Sequence, residues 1–226
     1  MEEVRDYYDL NTARWVGRRR ESDAIHRAVW GEGTGSHAEA FQYLDRLVAR
    51  ELQEVAGSFP PPLHVLDLGC GIGHSLIFLA SQSTIRGTGI TLSGVQARYA
   101  AQHIQRAVLA GRVECLEGDF LQLPQTIAPA HLAFSIEAFV HSADPERYFA
   151  ATAEHVLPGG RLIVCDDFLG ERPEGRLSRR QARMLDEFRS GWLAPSLITV
   201  ARADACASRF GYRRLKNVDL TNDLDL

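Results

Sequence analysis

"VLDLGCGIGHS", residues 65–75, decides the fold. An apolar run carrying one acid, Asp67, leads into three alternate glycines, Gly69, Gly71 and Gly73, and "SLIFLASQ" (75–82) then begins a helix. A strand that turns through glycines into a helix lets the backbone approach a ligand closely and aims helix N–H groups at it. A Gly-rich turn alone is a weak sign; between a strand and a helix it gains weight.

Outward from this turn, strand and helix patterns alternate. "RGTGITLS" (86–93) reads as a second strand and "GVQARYAAQHIQRAVLAG" (94–111) as a helix closed by Gly111. "RVECLEGDF" (112–120), "HLAFSIEA" (131–138) and "RLIVCDDF" (161–168) read as three further strands, with "PERYFAATAEHVLPGG" (145–160) as a helix and its terminating turn. This order predicts an α/β fold, a Rossmann-like, doubly wound, mostly parallel sheet with helices on both faces. Residues 1–56 read as an N-terminal helical cap, with an amphipathic face at Phe41, Leu44, Leu47 and Val48, and residues 57–226 as the Rossmann-like unit. "YRRLKNVDLT" (212–221) reads as one more strand without a following hairpin partner. Either the chain ends short of its natural terminus or the sheet is one strand short.

The chain has 226 residues, and its net charge of −4 argues against a nucleic-acid surface. No apolar run reaches membrane-spanning length and the first residues do not form a signal peptide. The four cysteines, Cys70, Cys115, Cys165 and Cys206, lack paired or metal-type spacing and read as reduced thiols of a cytoplasmic protein.

"VLDLGCGIG" resembles motif I of the class I S-adenosylmethionine-dependent methyltransferases. "GTGITLSGVQ" (87–96), "EGDF" (117–120) and "HVLPGGRLIVCDDF" (155–168) follow in the order and at the spacing of that family. Thr91 stands where a dinucleotide-binding fold, and most class I methyltransferases, carry a ribose-binding acid. The "TLS…Q" pattern is similar to the subgroup of tocopherol, sterol, glycine-betaine and cyclopropane-lipid enzymes. That resemblance implies S-adenosylmethionine as cofactor and S-adenosylhomocysteine as product. It assigns Gln96 to the ribose hydroxyls with help from Thr91 and Leu92, Asp119 to the adenine amino group, Phe120 to the ring, and Gly69 and Gly71 to the methionine moiety, with Asp67 orienting the turn or meeting the amino group through water; Cys70, Gly118 and Ser135 are the other expected cofactor-binding residues.

In open parallel sheets the ligand lies beyond the carboxyl ends of the strands. The fourth strand ends at Glu137 and the fifth at Asp166 and Asp167, so these acids face the methyl acceptor, with His141 close by. Tyr7, Tyr8, Trp15, His26, Trp30 and Trp192 are the expected substrate-side residues, and the acceptor is expected to be a small lipophilic molecule. Sterol and terpenoid C-methyltransferases carry an acid at the end of the fourth strand. By resemblance, C-methylation of an isoprenoid with Glu137 as proton-removing base is the first expectation. O- or N-methylation assisted by His141 is the alternative, as is an oxygen-ligated cation on Glu137, Asp166 and Asp167. A scaffold that binds the cofactor without catalysis is the reading from another class. Glu137 could also simply pair with an arginine. No residue is assigned as a resident metal ligand; the pattern leaves room for Mg2+ and for a homo-oligomer.

Overall fold

The computed structural model describes residues 2–18, 26–170 and 177–224. Strands β1 (Leu63–Leu68), β2 (Ile85–Thr91), β3 (Val113–Glu117), β4 (Ala130–Ile136) and β5 (Val156–Cys165) form one sheet in the order β3-β2-β1-β4-β5. Every pairing is parallel. The chain reverses its direction of travel across the sheet between β1 and β4, so the crevice for a ligand opens where Gly69 follows β1 and Glu137 follows β4.

Alternation along the strands splits the core in two. Val65 and Phe134 face a layer with Val48, Leu52 and Val55 of α3 (Tyr43–Ala56), Leu76 and Leu79 of α4 (His74–Gln82) and Ile104 of α5 (Gly94–Arg106). Leu66 and Ala133 face the other layer, with Tyr148 and Phe149 of α6 (Pro145–Ala153) and Ala203 and Cys206 of α8 (Val200–Ser208). Helix α3 is therefore part of the packed sheet unit. Among the described residues of the stretch expected to form a cap, α1 (Glu2–Arg18) and residues 26–30 reach over the carboxyl edge of the strands.

Several helix starts are capped as their sequences dictate. Ser93 caps α5 through the Gln96 N–H. Asp144 caps α6 through the Glu146 and Arg147 N–H groups, with Pro145 in the first turn. Ser178 and Gln181 form a reciprocal capping box on α7 (Arg179–Gly191). Helix α2 (His37–Phe41) is a single turn capped by Ser36.

Two expectations change. The stretch 145–160 is not all helix and turn: α6 ends at Ala153, and β5 already pairs Val156 with Ala130 before a bulge that resumes at Arg161 opposite Leu132. Gly159, at φ +82°, occupies that bulge. The strand expected at 212–221 does not form. Tyr212, Leu215 and Val218 recur every third residue rather than every second, so no continuous apolar face is available to pair with β5. The segment runs over the surface instead. It returns to the N-terminal region, where Trp30 N–H donates to the Asp223 carbonyl at 2.6 Å and Val29 bridges Leu224. Among the described residues, no helix is long and apolar enough to cross a membrane.

Candidate active site

The Gly-rich turn is strained in the way only glycine tolerates. Gly69, Gly71 and Gly73 have φ of +92°, +54° and +81°. A Cβ on Gly69 would sit 2.3 Å from the Ala138 Cβ, so the turn after β1 touches the turn after β4. The Gly69 and Cys70 N–H groups both donate to the Ile90 carbonyl, at 2.8 and 2.9 Å. What faces a ligand is therefore Gly71 and the first turn of α4. The Cys70 side chain packs over Gly89 with Cys115, toward the core. Asp67 is buried in β1; burial pushes its carboxyl well above the usual carboxylate range, and the charge of Asp45 adds to this.

At the end of β2, Thr91 Oγ1 donates to Gln96 Oε1 at 2.6 Å, and both are buried. Asp9 of α1 closes this corner: its Oδ1 accepts from Ser93 Oγ and from the Val95 N–H. Leu92 lies between the two. After β3, the Gly118 N–H is engaged by the Thr91 carbonyl at 2.8 Å. Asp119 Oδ1 accepts from the Leu121 N–H at 2.8 Å, which leaves Oδ2 the freer oxygen. Phe120 is buried edge-on against Tyr148, ring centroids 5.7 Å apart. Ser135 turns away from the crevice: its hydroxyl bonds Tyr148 OH at 2.9 Å inside the core, and only its backbone borders the site.

Glu137 sits at φ +51°, an unusual conformation for a residue with a side chain. Its N–H continues the ladder to the Cys165 carbonyl, and its Oε1 accepts from both the backbone N–H and the Nε of Arg27, at 3.2 and 2.8 Å. Arg27 Nη2 donates to Asp167 Oδ1 at 2.9 Å. Burial opposes the Arg27 charge, but Glu137 and then Asp167 outweigh it and hold the guanidinium further into its charged range. The three acids at the strand ends thus do not converge on a shared cation. Glu137 and Asp167 share Arg27, and Asp166 accepts from the Val140 and Asp167 N–H groups. Burial still pushes the Asp166 carboxyl up to about 7, against those two bonds, with Glu137 and Asp167 adding to the rise.

His141 lies in a 3-10 turn, 139–141, after β4. Its Nδ1 is 3.0 Å from the Leu193 carbonyl, which can only accept, so Nδ1 carries the proton. Nε2 then accepts from Tyr8 OH at 2.9 Å. Burial pushes the imidazole below its usual range, and it pushes the Tyr8 phenol up, with Glu137 contributing. Tyr7 packs edge-on against Tyr8. Trp30 packs edge-on against His37. Trp192 is 60% exposed at the end of α7 beside Phe188; its neighbour Leu193 is the residue that meets His141. His26 turns toward Asp45 and His74 rather than toward the acceptor side. The Trp15 side chain lies outside the described residues.

Four participants were not anticipated from the sequence: Asp9, Arg27, Leu193 and Asp45. Arg27 lies in the stretch "AIHRAVWGEG" (24–33), whose density of His, Arg and Trp in an apparent linker was the one available signal.

Residues 65–160 match the family model described as a methyltransferase domain. That match runs from β1 into β5, and the fold is that of the class I methyltransferases. The "O-methyltransferase rstn1" of Aspergillus nomiae is 31% identical over 147 residues, 64% of this chain and 63% of that protein. The "24-methylenesterol C-methyltransferase 2" of Oryza sativa subsp. japonica is 27% identical over 190 residues, 82% of this chain and 49% of that protein. The chain thus spans less than two thirds of the length of either relative. The solved structure of the cyclopropane synthase MmaA2 from Mycobacterium tuberculosis has the same fold, with a TM-score of 0.80 at 21% identity over 98% of this chain and 78% of that one. On this fold the Gly-rich turn, the Thr91–Gln96 corner and the acids after β4 and β5 all lie on one edge of the sheet.

Proposed function

We propose that the protein transfers a methyl group from S-adenosylmethionine to a hydroxyl oxygen of a small, lipophilic natural product. The observation that carries this is the state of His141. Its Nδ1–H is fixed by the Leu193 carbonyl, and its Nε2 already accepts from a hydroxyl, that of Tyr8. Burial favours the neutral imidazole, the form that takes a proton. A relative named as an O-methyltransferase supports the same chemistry.

The residues present fit the cofactor. The turn at Gly69 has no room for a Cβ, and Gly71 and the start of α4 are left to a ligand. Gln96, its Oε1 engaged by Thr91, keeps an amide N–H to donate to a ribose hydroxyl. Asp119 Oδ2, which accepts a long 3.5 Å bond from Gln122 Nε2, has capacity left for the adenine amino group. When bound, S-adenosylmethionine supplies an electrophilic methyl group on a sulfonium. The protein then has to orient the acceptor, exclude water and take one proton. α1 and residues 26–30 serve as the cap that excludes water. The acceptor hydroxyl takes the place of the Tyr8 hydroxyl on His141 Nε2 and passes its proton there.

A second activity, C-methylation of an alkene such as an isoprenoid, is favoured by one observation. Asp166, next to Glu137, is a carboxyl pushed up to about 7 and so a proton acceptor near neutrality. The rice relative, named as a sterol C-methyltransferase, supports it.

The deciding experiment offers the protein and S-adenosylmethionine a panel of phenols, alcohols, prenyl compounds and sterols, with the methylated atom located by NMR. O-methylation abolished in His141→Asn, with cofactor binding retained, is the expected result. Products methylated only on carbon, with turnover lost in Glu137→Gln or Asp166→Asn rather than His141→Asn, would establish the second activity instead. Cofactor binding with no product from any acceptor would point to a scaffold.

A further inference from the structure

Asp45 lies in the first turn of α3 with its side chain fully buried, yet neither carboxylate oxygen has a hydrogen-bond partner. His74, the first residue of α4, brings Nδ1 to 3.2 Å from Asp45 Oδ2, but without hydrogen-bond geometry. Nε2 of His26 is also buried and unpartnered, while its Nδ1 lies 3.0 Å from the Arg27 carbonyl and so donates to it. Buried polar groups are nearly always satisfied, and a buried carboxylate without a cation or donor is among the costliest exceptions. Here four such atoms converge: one ligand atom from each of the three side chains lies within 4.8 Å of the others.

Two imidazoles and a carboxylate match the donor set of zinc and its first-row neighbours. A ligating histidine typically donates its other ring N–H to a backbone carbonyl or carboxylate, which is what His26 does toward Arg27. We propose that His26, Asp45 and His74 bind one divalent transition-metal ion of the zinc class, with a fourth position left to water. None of the three takes part in the methyl-transfer chemistry proposed above, and the site stands or falls independently of it.

The ion fastens three separated pieces of chain: residues 26–30, the first turn of α3, and the residue that follows the Gly-rich turn. Because His26 precedes Arg27, it also holds the arginine that bridges Glu137 and Asp167. The ion neutralises Asp45, whose charge bears on Asp67.

The test is a zinc titration of untagged, chelator-stripped protein in competition with a chromophoric chelator, repeated for His26→Gln, Asp45→Asn and His74→Gln. One equivalent of zinc should bind the native protein. Each variant should weaken that binding by more than the roughly 10–100-fold that loss of an outer-sphere partner costs. Cobalt(II) should give the d–d absorption of a nitrogen–oxygen site without thiolate charge-transfer bands. Zinc should raise the Tm of the native protein but not that of His26→Gln, a conservative change in a loop; far-UV circular dichroism checks that each variant is folded. Absence of stoichiometric zinc binding, binding unchanged in folded variants, or thiolate bands assigning the ion to cysteine would each overturn the proposal.

Discussion

Arg27 meets Glu137 at two points, 110 positions away in sequence: its backbone N–H and its Nε both donate to the same oxygen, Oε1. The far end of the same guanidinium reaches Asp167. One side chain thereby ties the N-terminal segment to the ends of both β4 and β5. Arg27 is 41% exposed, so solvent screens the pair. Arg27→Met should cost about 1 kcal/mol, seen as a lowered Tm. Arg27→Lys should recover less than half of it, because one ammonium cannot span two carboxylates as a planar fork does. Full recovery by lysine would show that charge alone, not the fork, holds the segment.

If the acceptor hydroxyl replaces that of Tyr8 on His141, the two residues respond differently to substitution. His141→Asn should lower kcat by about 10^2 to 10^4-fold, the range for loss of a general base, with cofactor affinity unchanged by calorimetry. Tyr8→Phe should keep turnover. A Tyr8→Phe variant as inactive as His141→Asn would mean that the phenol relays the proton.

The acid stability of the fold should carry the same histidine. Burial lowers the folded-state pKa of His141, and of His64, below the unfolded value of about 6.5. The unfolded chain therefore binds more protons as pH falls through about 6.5, and stability is lost on that side, by up to ~1.4 kcal/mol per pH unit for each histidine. His141→Asn should make the fall below about pH 6.5 shallower in urea denaturation.

Asp166 works in the opposite direction. Its folded pKa, about 7, lies above the ordinary carboxylate value, so the folded state holds the proton longer. Its contribution is full below about pH 4 and is lost as pH rises through 7. Asp166→Asn should therefore stabilise the protein more at pH 8 than at pH 5. A variant with the same effect at both values would show that the carboxyl titrates normally.

Two glycines with similar φ should behave differently. Gly69→Ala places a Cβ 2.3 Å from Ala138 at φ +92°, whereas Gly111→Ala, at φ +83°, meets nothing within 4 Å. Both should cost about 1–2 kcal/mol in left-handed strain. Only Gly69→Ala should also weaken S-adenosylmethionine binding, by at least about tenfold, or ~1.4 kcal/mol. Equal cofactor affinity in the two variants would detach the Gly69 turn from the cofactor.

The sheet was legible because β1 and β4 are mostly apolar runs that end at a glycine and an acid, a pattern set by local burial, with strand and helix patterns alternating around them. The segment 212–221 misled because its β-forming residues lack the two-residue period that pairing requires. Within the site, Glu137 was legible as an acid at the end of a buried run. Its partner was not: an ion pair formed by chain folding leaves no spacing to read in either segment. Ser135 shows the same limit at one residue. Its place at the end of β4 was plain, but the pleat points its hydroxyl at Tyr148. The unpartnered ring nitrogens of His26 and His74 became visible only once the fold brought Asp45 between them.

Tyr8 and Asp9 are neighbours on α1, yet one holds His141 and the other holds Ser93 at the ribose corner. A helix cannot release one of two adjacent residues without disturbing the other. Opening the ribose corner therefore also uncovers the imidazole. On the proposed function, cofactor exchange and acceptor entry are therefore expected to share one motion of α1, which product-inhibition kinetics would check.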